Sequence, residues 1–359
     1  TMGSGIGMLF KNNNALLKKE LRKLTQRDSF SKYLPYLAYS PEERAYINHD
    51  DTTGFIWECT PLVYASEKPF LILEGLFNSG IPEGSVMQFT LYADPYINFI
   101  TDRYAALKNT GNKLVHRATE SVRDLFLQGA NGIKSLSNIP SRNFRLIISL
   151  KFPAGPEKNA KEILDTRDSV FEILKGAGLN PYPVNPGELI NTLAKIINDD
   201  PPEWIAYDDE QPINKQIVFS ETEINSHWTH MQMGERIFKC LTPKKLPPEA
   251  DPMTMNILCG DIWGLASDPA QINAPFIYSV NLIFEKLHTK LHSKCNMILQ
   301  QDAVGSFAPS LNRKQEEYVW ATGEIEKGTP FIRVMPIAWI ISKNEAQARE
   351  NHARLKRIW

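Results

Sequence analysis

Residues 54–97 combine two different spacings of hydrophobic side chains. Residues 54–63 and 85–92 are rich in β-branched and aromatic residues and are bounded by Gly, Pro or Asp, which is typical of β-strands. Between them, the apolar residues of 66–77 recur three and four positions apart, as on one face of a helix: Phe70, Leu73, Leu76 and Phe77. The stretch therefore predicts a strand, a helix and a second strand.

The same two spacings predict the elements that complete the first half of the chain. Helices are expected over 97–107, 110–127, 156–176 and 186–197, and strands over 143–152 and 179–184. The second of these helices is expected to bury one side, which is formed by Leu114, Ala118, Val122, Leu125 and Phe126.

The second half of the chain begins after an acidic, proline-rich segment. Residues 199–212 read DDPPEWIAYDDEQP, a composition typical of an exposed crossover or a domain boundary. Beyond this segment, strands are expected over 216–219, 224–228, 236–241, 276–284 and 331–342, and helices over 286–300, 313–326 and 344–359.

Strands and helices alternate loosely along the chain, hairpins are mixed among them, and no short repeat is visible. This order predicts an α+β fold with mixed, mainly antiparallel sheets and packed helices. The elements are expected to form two lobes, and ferredoxin-like units are one candidate for their structure. We expect the first lobe to span 30–210 and the second to span 211–359. Residues 1–29 are expected to comprise a tag remnant, 1–7, followed by a basic amphipathic N-terminal arm.

The N-terminal arm places apolar and basic side chains largely on opposite sides of a predicted helix over 15–27. Two interpretations are open. One is contact with an anionic membrane surface or an acidic partner, and the other is packing against its own domain, because so short an apolar face binds lipid weakly. Contact with a membrane or partner would use Leu17, Lys18, Lys19, Leu21, Arg22 and Lys23.

Three groups of residues resemble the TraC family, the type IV secretion proteins of F-like conjugative pilus assembly. They are Leu34, Pro35 and Tyr36, then Gly54, Phe55, Trp57, Glu58 and Pro61, and then Ile81, Pro82, Gly84, Ser85 and Gln88. The resemblance runs through most of the chain and implies the N-terminal domain of a motor ATPase. Such a domain would attach the motor to the inner-membrane complex of the secretion channel and help it oligomerise, in pilus assembly and DNA transfer.

The chain lacks the nucleotide-binding loop of such a motor. That loop needs GxxxxGK[ST], because glycine amides wrap the phosphates while the Lys reaches the terminal ones. Windows 128–135 and 323–330 come nearest, but the first lacks both glycines, and the second lacks the Lys and the hydroxyl residue. We therefore expect the N-terminal portion of a longer protein, with no catalytic residue and no cofactor of its own. ATP and Mg are expected only for the missing C-terminal ATPase domain, which would contact Leu355, Ile358 and Trp359.

The charge balance and the cysteines indicate which partners and which cellular compartment to expect. The chain has 40 Lys and Arg against 41 Asp and Glu, so no direct nucleic-acid binding is expected, because a dedicated binder carries a basic surplus. Four widely spaced cysteines predict reduced, mostly buried thiols in the cytoplasm, and no apolar run approaches the roughly 20 residues of a spanning helix. We expect a cytoplasmic protein peripheral to the inner membrane. Its partners would be inner-membrane type IV secretion components, its own ATPase domain and, in the full-length protein, further copies of itself.

Three potential metal ligands support a different hypothesis. His288, His292 and Cys295 lie at i, i+4 and i+7 of a predicted helix and so share one side of it, a spacing that zinc can use with a fourth ligand such as Cys259 or His230. The alternative function is therefore a free-standing metal-dependent or nucleotide-modifying enzyme. A structural or surface role for the three is favoured, because no HExxH motif accompanies them and such spacing is common by chance.

Overall fold

The computed structural model describes residues 30–62, 66–108, 111–130, 132–133, 140–155, 160–244, 251–261, 271–285, 287–302, 309–329 and 331–359. The strands are β1 (Tyr36–Ser40), β2 (Ala45–Asn48), β3 (Thr53–Cys59), β4 (Val86–Asp94), β5 (Asn143–Phe152), β6 (Tyr182–Pro183), β7 (Ile224–Ser226), β8 (Met231–Met233), β9 (Arg236–Leu241), β10 (Phe276–Ile283) and β11 (Arg333–Ser342). The helices are α1 (Glu67–Glu74), α2 (Asn98–Leu107), α3 (Lys113–Gly129), α4 (Ala160–Gly176), α5 (Pro186–Ile197), α6 (Ile213–Ile217), α7 (Pro252–Leu258), α8 (Leu287–Asp302), α9 (Pro309–Glu326) and α10 (Glu345–Ile358).

The strands of the described chain join in a single antiparallel sheet. Its order is β1-β2-β3-β5-β4-β10-β11-β9-β8-β7, and β6 pairs separately with β3. Each pairing in this sheet is antiparallel. The predicted α+β class with mainly antiparallel strands is therefore confirmed.

Strand β4 lies in the middle of this sheet and is paired along both edges. It pairs with β5 from Val86↔Lys151 to Asp94↔Asn143. On the other edge it pairs with β10 from Val86↔Ile283 to Ala93↔Phe276. Strands from both halves of the chain thus form one continuous hydrogen-bonded layer.

Four strands and two helices of the first half have ferredoxin-like topology. The chain runs β3, α1, β4, β5, α4, β6, and the strands lie side by side in the order β6-β3-β5-β4. This is the split βαβ arrangement, and it differs from a minimal unit because α2 and α3 are inserted between β4 and β5. The ferredoxin-like unit, which was one candidate from the sequence, is therefore present.

Helices cover both faces of this unit. Phe55 and Trp57 of β3 pack on the face covered by α1 and α4, whereas Ile56 between them packs on the face covered by α5, as the alternation of side chains along a strand requires. Fully buried side chains on the first face include Met87, Ile148, Leu150, Val170 and Leu174, and those on the second include Tyr46, Ile190, Ile213 and Ile217.

One predicted strand is wrong. Residues 216–219 were expected to be extended, but the chain forms the short helix α6 there, Ile213–Ile217. Its two isoleucines are four positions apart and both fully buried, which is the spacing of one helix face. The β-branched composition of the segment therefore misleads, and burial on a helical spacing decides its conformation.

Removing a core side chain from α4 tests this packing. Leu174 is fully buried, so Leu174→Ala should lower the free energy of unfolding by about 2–5 kcal/mol, because it removes contacts and leaves a cavity. The control Leu71→Ala, at a leucine of α1 that is 67% exposed, should change it by less than about 0.5 kcal/mol. Urea unfolding followed by circular dichroism measures both. Equal losses would contradict the packing of α4 on this face.

Candidate docking surface

Helices α2 and α3 form a hairpin that projects from one end of the sheet. They connect β4 to β5, which are antiparallel neighbours, so the chain leaves and re-enters the sheet at the same end. Asn112 is the N-cap of α3, where its side chain accepts a hydrogen bond from the Leu114 amide at 2.9 Å. This cap satisfies one of the free amides of the first turn and begins the second helix of the hairpin.

An ion pair joins the two helices. Arg123 of α3 donates to the same Asp102 oxygen from Nη2 at 2.6 Å and from Nε at 3.0 Å. These hydrogen bonds raise the pKa of the Arg123 guanidinium. Asp102 is in the middle of α2 and Arg123 is in the second half of α3, so the contact links the two helices.

Small and polar residues occupy the buried side of the hairpin and its base. Thr101 and Thr119 are buried, and each hydroxyl donates to a carbonyl of its own helix at 2.8 Å. At the base, the Ser141 amide donates to the Gly129 carbonyl at 2.7 Å, and a Cβ on Gly129 would lie 2.7 Å from the Ser141 hydroxyl. The backbone hydrogen bond ties the end of α3 to the segment that leads into β5.

Several large apolar side chains of the hairpin are exposed. Leu107 and Leu114 are 77% and 76% exposed, Phe99 is 60% exposed, and Leu125 and Phe126 are each 51% exposed. None of the described side chains of α2 or α3 belongs to the three buried hydrophobic clusters of the structure. We call the exposed apolar side chains of the two helices the hairpin surface: Phe99, Ile100, Leu107, Leu114, Leu125 and Phe126.

The predicted buried face of the 110–127 helix is therefore wrong in large part. Of its five residues, Leu114, Ala118, Leu125 and Phe126 are exposed, and only Val122 is half-buried. The periodic pattern correctly identified an apolar helix face, but spacing alone does not say what covers that face. The apolar face of this helix was therefore the feature of the sequence that pointed to the hairpin surface.

Charged residues of both signs lie on the same two helices as the hairpin surface. Arg103, Lys113 and Arg117 are exposed there, and the acidic residues Glu120 and Asp124 follow in α3. Large apolar side chains accompanied by mixed charges are typical of a protein interface. A helix that binds anionic lipid instead needs a predominantly basic polar face.

A second helical hairpin projects from the opposite end of the sheet. Helices α8 and α9 connect β10 to β11, and the C-terminal end of β10 lies beside the N-terminal end of β4, Ile283↔Val86. This hairpin exposes Met297, Val319 and Trp320. Large apolar side chains are thus displayed at both ends of the central strands.

An ionic cluster joins three strands beside the first hairpin. Arg145 of β5 binds both carboxylate oxygens of Glu58 on β3, at 2.7 and 2.8 Å, and its Nη1 lies 3.7 Å from the Asp94 carboxylate at the end of β4. Burial raises the pKa of Asp94, and the neighbouring amide of Tyr96 and the Arg145 guanidinium only partly oppose this effect. Glu58 is therefore the main counter-charge of Arg145, and the cluster fixes β3, β5 and β4 together.

The structure separates the predicted contact residues into three groups. The arm residues Leu17, Lys18, Lys19, Leu21, Arg22 and Lys23 lie outside the described residues. Leu355 is fully buried within this chain, in a cluster with Phe276 and Tyr278, so the prediction that it contacts a further domain is corrected.

Ile358 and Trp359 are half-buried at the edge of the same cluster. The Trp359 indole donates to the Leu258 carbonyl at 3.1 Å and packs edge-on against Tyr278. The closing helix is thus anchored to its own domain first, and a contact between these two side chains and a further domain stays a prediction.

The described side chains contain no group of three or more His, Cys, Asp or Glu that could hold a metal ion. His292 is exposed and Cys295 is half-buried on α8, while the side chain of His288 lies outside the described residues. The four cysteines are free, as expected, but only Cys59 is fully buried and Cys240 is exposed. Burial raises the pKa of the Cys59 thiol to about 12, so this thiol is unreactive at neutral pH.

The pKa of Asp94 gives a pH-dependent test of the ionic cluster. A carboxyl whose pKa is raised by folding stabilises the protein at low pH, and this contribution is lost as the pH rises through its folded pKa. The unfolding free energy of the wild type, minus that of Asp94→Asn, should therefore fall as the pH rises from about 3 to about 7. Urea unfolding of both proteins at several pH values measures this difference. A difference that grows with pH would show that the ion pair with Arg145 outweighs burial.

In the described part of the chain, every helix is too short or too polar to cross a membrane. The family profile described as TraC protein matches residues 30–359. The Escherichia coli (strain K12) protein named Protein TraC is 23% identical over 314 residues, which cover 80% of this chain and 35% of the relative. The chain thus spans about a third of that relative's length, and it belongs to the TraC protein family.

Proposed function

We propose that this chain is a docking module of a TraC-family conjugative type IV secretion protein, which holds the rest of that protein to the inner-membrane secretion complex. The observation that carries the proposal is the hairpin surface. Six large apolar side chains on two linked helices face solvent, although the sheet beside them is covered by other helices. Exposed apolar patches on soluble domains commonly mark interaction sites.

The hairpin is suited to docking because its two helices are joined and it contains aromatic anchors. The Arg123 to Asp102 pair links the helices, and the Ser141 amide bonds to the Gly129 carbonyl at the base. Phe99 and Phe126 supply the aromatic side chains that often carry much of the binding energy of an interface.

The partner is a protein component of the inner-membrane complex that presents an apolar helix or groove. The mixed charges on the same helices as the hairpin surface favour a protein over anionic lipid. The basic N-terminal arm would add a second contact, to acidic groups of the same complex or to the membrane surface. The module would then lie at the cytoplasmic side of the inner membrane and promote self-association of the full-length protein.

The remaining activity is assigned to sequence that this chain does not contain. The relative from Escherichia coli has about two thirds of its length outside the match. We propose that a motor domain there binds ATP and Mg and drives pilus assembly and DNA transfer. Ile358 and Trp359, half-buried at the end of α10, would form the edge that meets this domain.

Replacing two leucines of the hairpin surface tests the docking proposal. The double variant Leu114→Glu with Leu125→Glu should bind at least about tenfold more weakly to inner-membrane vesicles that contain the secretion components, because each buried anchor contributes about 1–2 kcal/mol to an interface. The matched control is Leu71→Glu, an exposed leucine of α1, which should bind like the wild type. Co-sedimentation measures the bound fraction.

Vesicles prepared without the secretion components separate a protein partner from lipid. The proposal expects binding only when the components are present. Equal binding to both kinds of vesicle, weakened by salt, would instead indicate direct lipid contact. Unchanged binding of the double variant would exclude the hairpin surface as the docking site.

A further inference from the structure

A cavity of about 370 Å³ lies at the base of the hairpin, at the end of the sheet where β4 and β11 end and β9 and β10 begin. Arg142, Arg236 and Lys343 line it, and the described residues around it include no Asp or Glu. Three cations therefore surround one cavity without a carboxylate in its wall. Basic side chains that line a cavity favour a negatively charged ligand, although Asp199 already pairs with one of them, Arg236.

Arg142 is the cation for which this arrangement is least favourable. Its guanidinium lies 5.4 Å from the ring centres of both Phe144 and Phe276, and its Nη1 donates to the Ala274 carbonyl at 2.8 Å. Its Nε is buried and has no acceptor among the described residues. Burial lowers the pKa of Arg142 to about 10, as expected for a charge that is taken out of water without a counter-charge.

The other buried arginines near this end of the sheet have carboxylate partners. Arg145 binds Glu58 through two hydrogen bonds. Arg236 lies 3.2 Å from the Asp199 carboxylate and also donates to the Lys195 carbonyl at 3.0 Å. Among the described residues, Arg142 therefore differs from these two arginines because it has no carboxylate partner, and a buried charge of this kind is costly unless an anion compensates it.

A second buried polar group without a hydrogen-bond partner among the described residues belongs to the same cavity wall as Arg142. The side-chain oxygen of Asn273 is buried and has no donor among the described residues. Asn273 also lines the cavity, and it is adjacent in sequence to Ala274, whose carbonyl Arg142 binds. A single ligand could satisfy both groups if it carried an oxyanion beside an N–H or O–H donor. Pro95, Pro275 and Ile341 add apolar wall to the cavity.

We propose that this cavity binds an oxyanion, a phosphate or carboxylate group, which pairs with Arg142 while an adjacent donor of the ligand bonds to Asn273. Lys343, which is exposed, adds attraction, whereas the charge of Arg236 is already paired with Asp199. Tyr96 and Ala130, which flank the two ends of the hairpin, also line the cavity. The bound ligand would therefore contact both ends of the hairpin.

Thermal unfolding and calorimetry in the presence of defined anions test this site. The probes are inorganic phosphate and N-acetylglycine, with sodium chloride at equal ionic strength as the reference and neutral N-acetylglycinamide as the uncharged control. At least one of the two oxyanions should raise the unfolding temperature above that in chloride, because a ligand of the folded state stabilises it. N-acetylglycinamide should not. A preference for phosphate or for N-acetylglycine identifies which group the natural ligand carries.

Variants make the test specific to the cavity. Arg142→Gln should weaken binding of the effective anion at least about tenfold, since it removes a charge-assisted hydrogen bond. Asn273→Asp, which keeps the shape of the side chain and adds a negative charge, should do the same even if Arg142→Gln folds poorly. The control Arg349→Gln, at an exposed arginine of α10, should bind like the wild type. Absence of binding by both oxyanions, or equal binding in the wild type and both cavity variants, would overturn the proposal.

Discussion

The antiparallel pairing of β4 with β10 is the interaction on which the rest of the structure depends. β4 completes the ferredoxin-like unit through β5 on one edge, and it joins the second half of the chain through β10 on the other. Eight consecutive residue pairs, from Val86↔Ile283 to Ala93↔Phe276, fix this junction. Because the strands are antiparallel, the connections that follow them leave from opposite ends of the sheet, and each connection is a helical hairpin.

This constraint explains why the candidate sites lie at the end of the sheet. The faces of the ferredoxin-like unit are already covered by α1, α4 and α5, so α2 and α3 have no room on them and keep their apolar side chains exposed. At the base of the same hairpin, loops from β4, β5, β10 and β11 meet around Arg142. The proposed docking surface and the proposed anion site therefore share one structural origin, although each is tested separately.

The sequence predicted elements better than it predicted what those elements pack against. Segments rich in β-branched and aromatic residues located β3 and β4, and helical spacing located α5 over the expected residues, because these patterns reflect local geometry. The prediction that the face of α3 with Leu114 is buried was wrong, because an apolar helix face looks the same in sequence whether its own sheet covers it or not. The prediction that Leu355 contacts a further domain was wrong because its own domain covers this side chain. The surroundings of Arg142, which has no carboxylate partner among the described residues, are formed by residues far apart in the chain and left no local signal.

The hairpin surface is proposed to dock onto the inner-membrane secretion complex. Amide hydrogen exchange, measured for this chain alone and with vesicles that contain the secretion components, tests this contact, because protection is reported residue by residue. Exchange within 98–129 should become slower on binding, while exchange in α4, on the covered face of the sheet, should be unchanged. Binding that leaves exchange in 98–129 unaltered, with protection confined to other segments, would contradict the proposed contact.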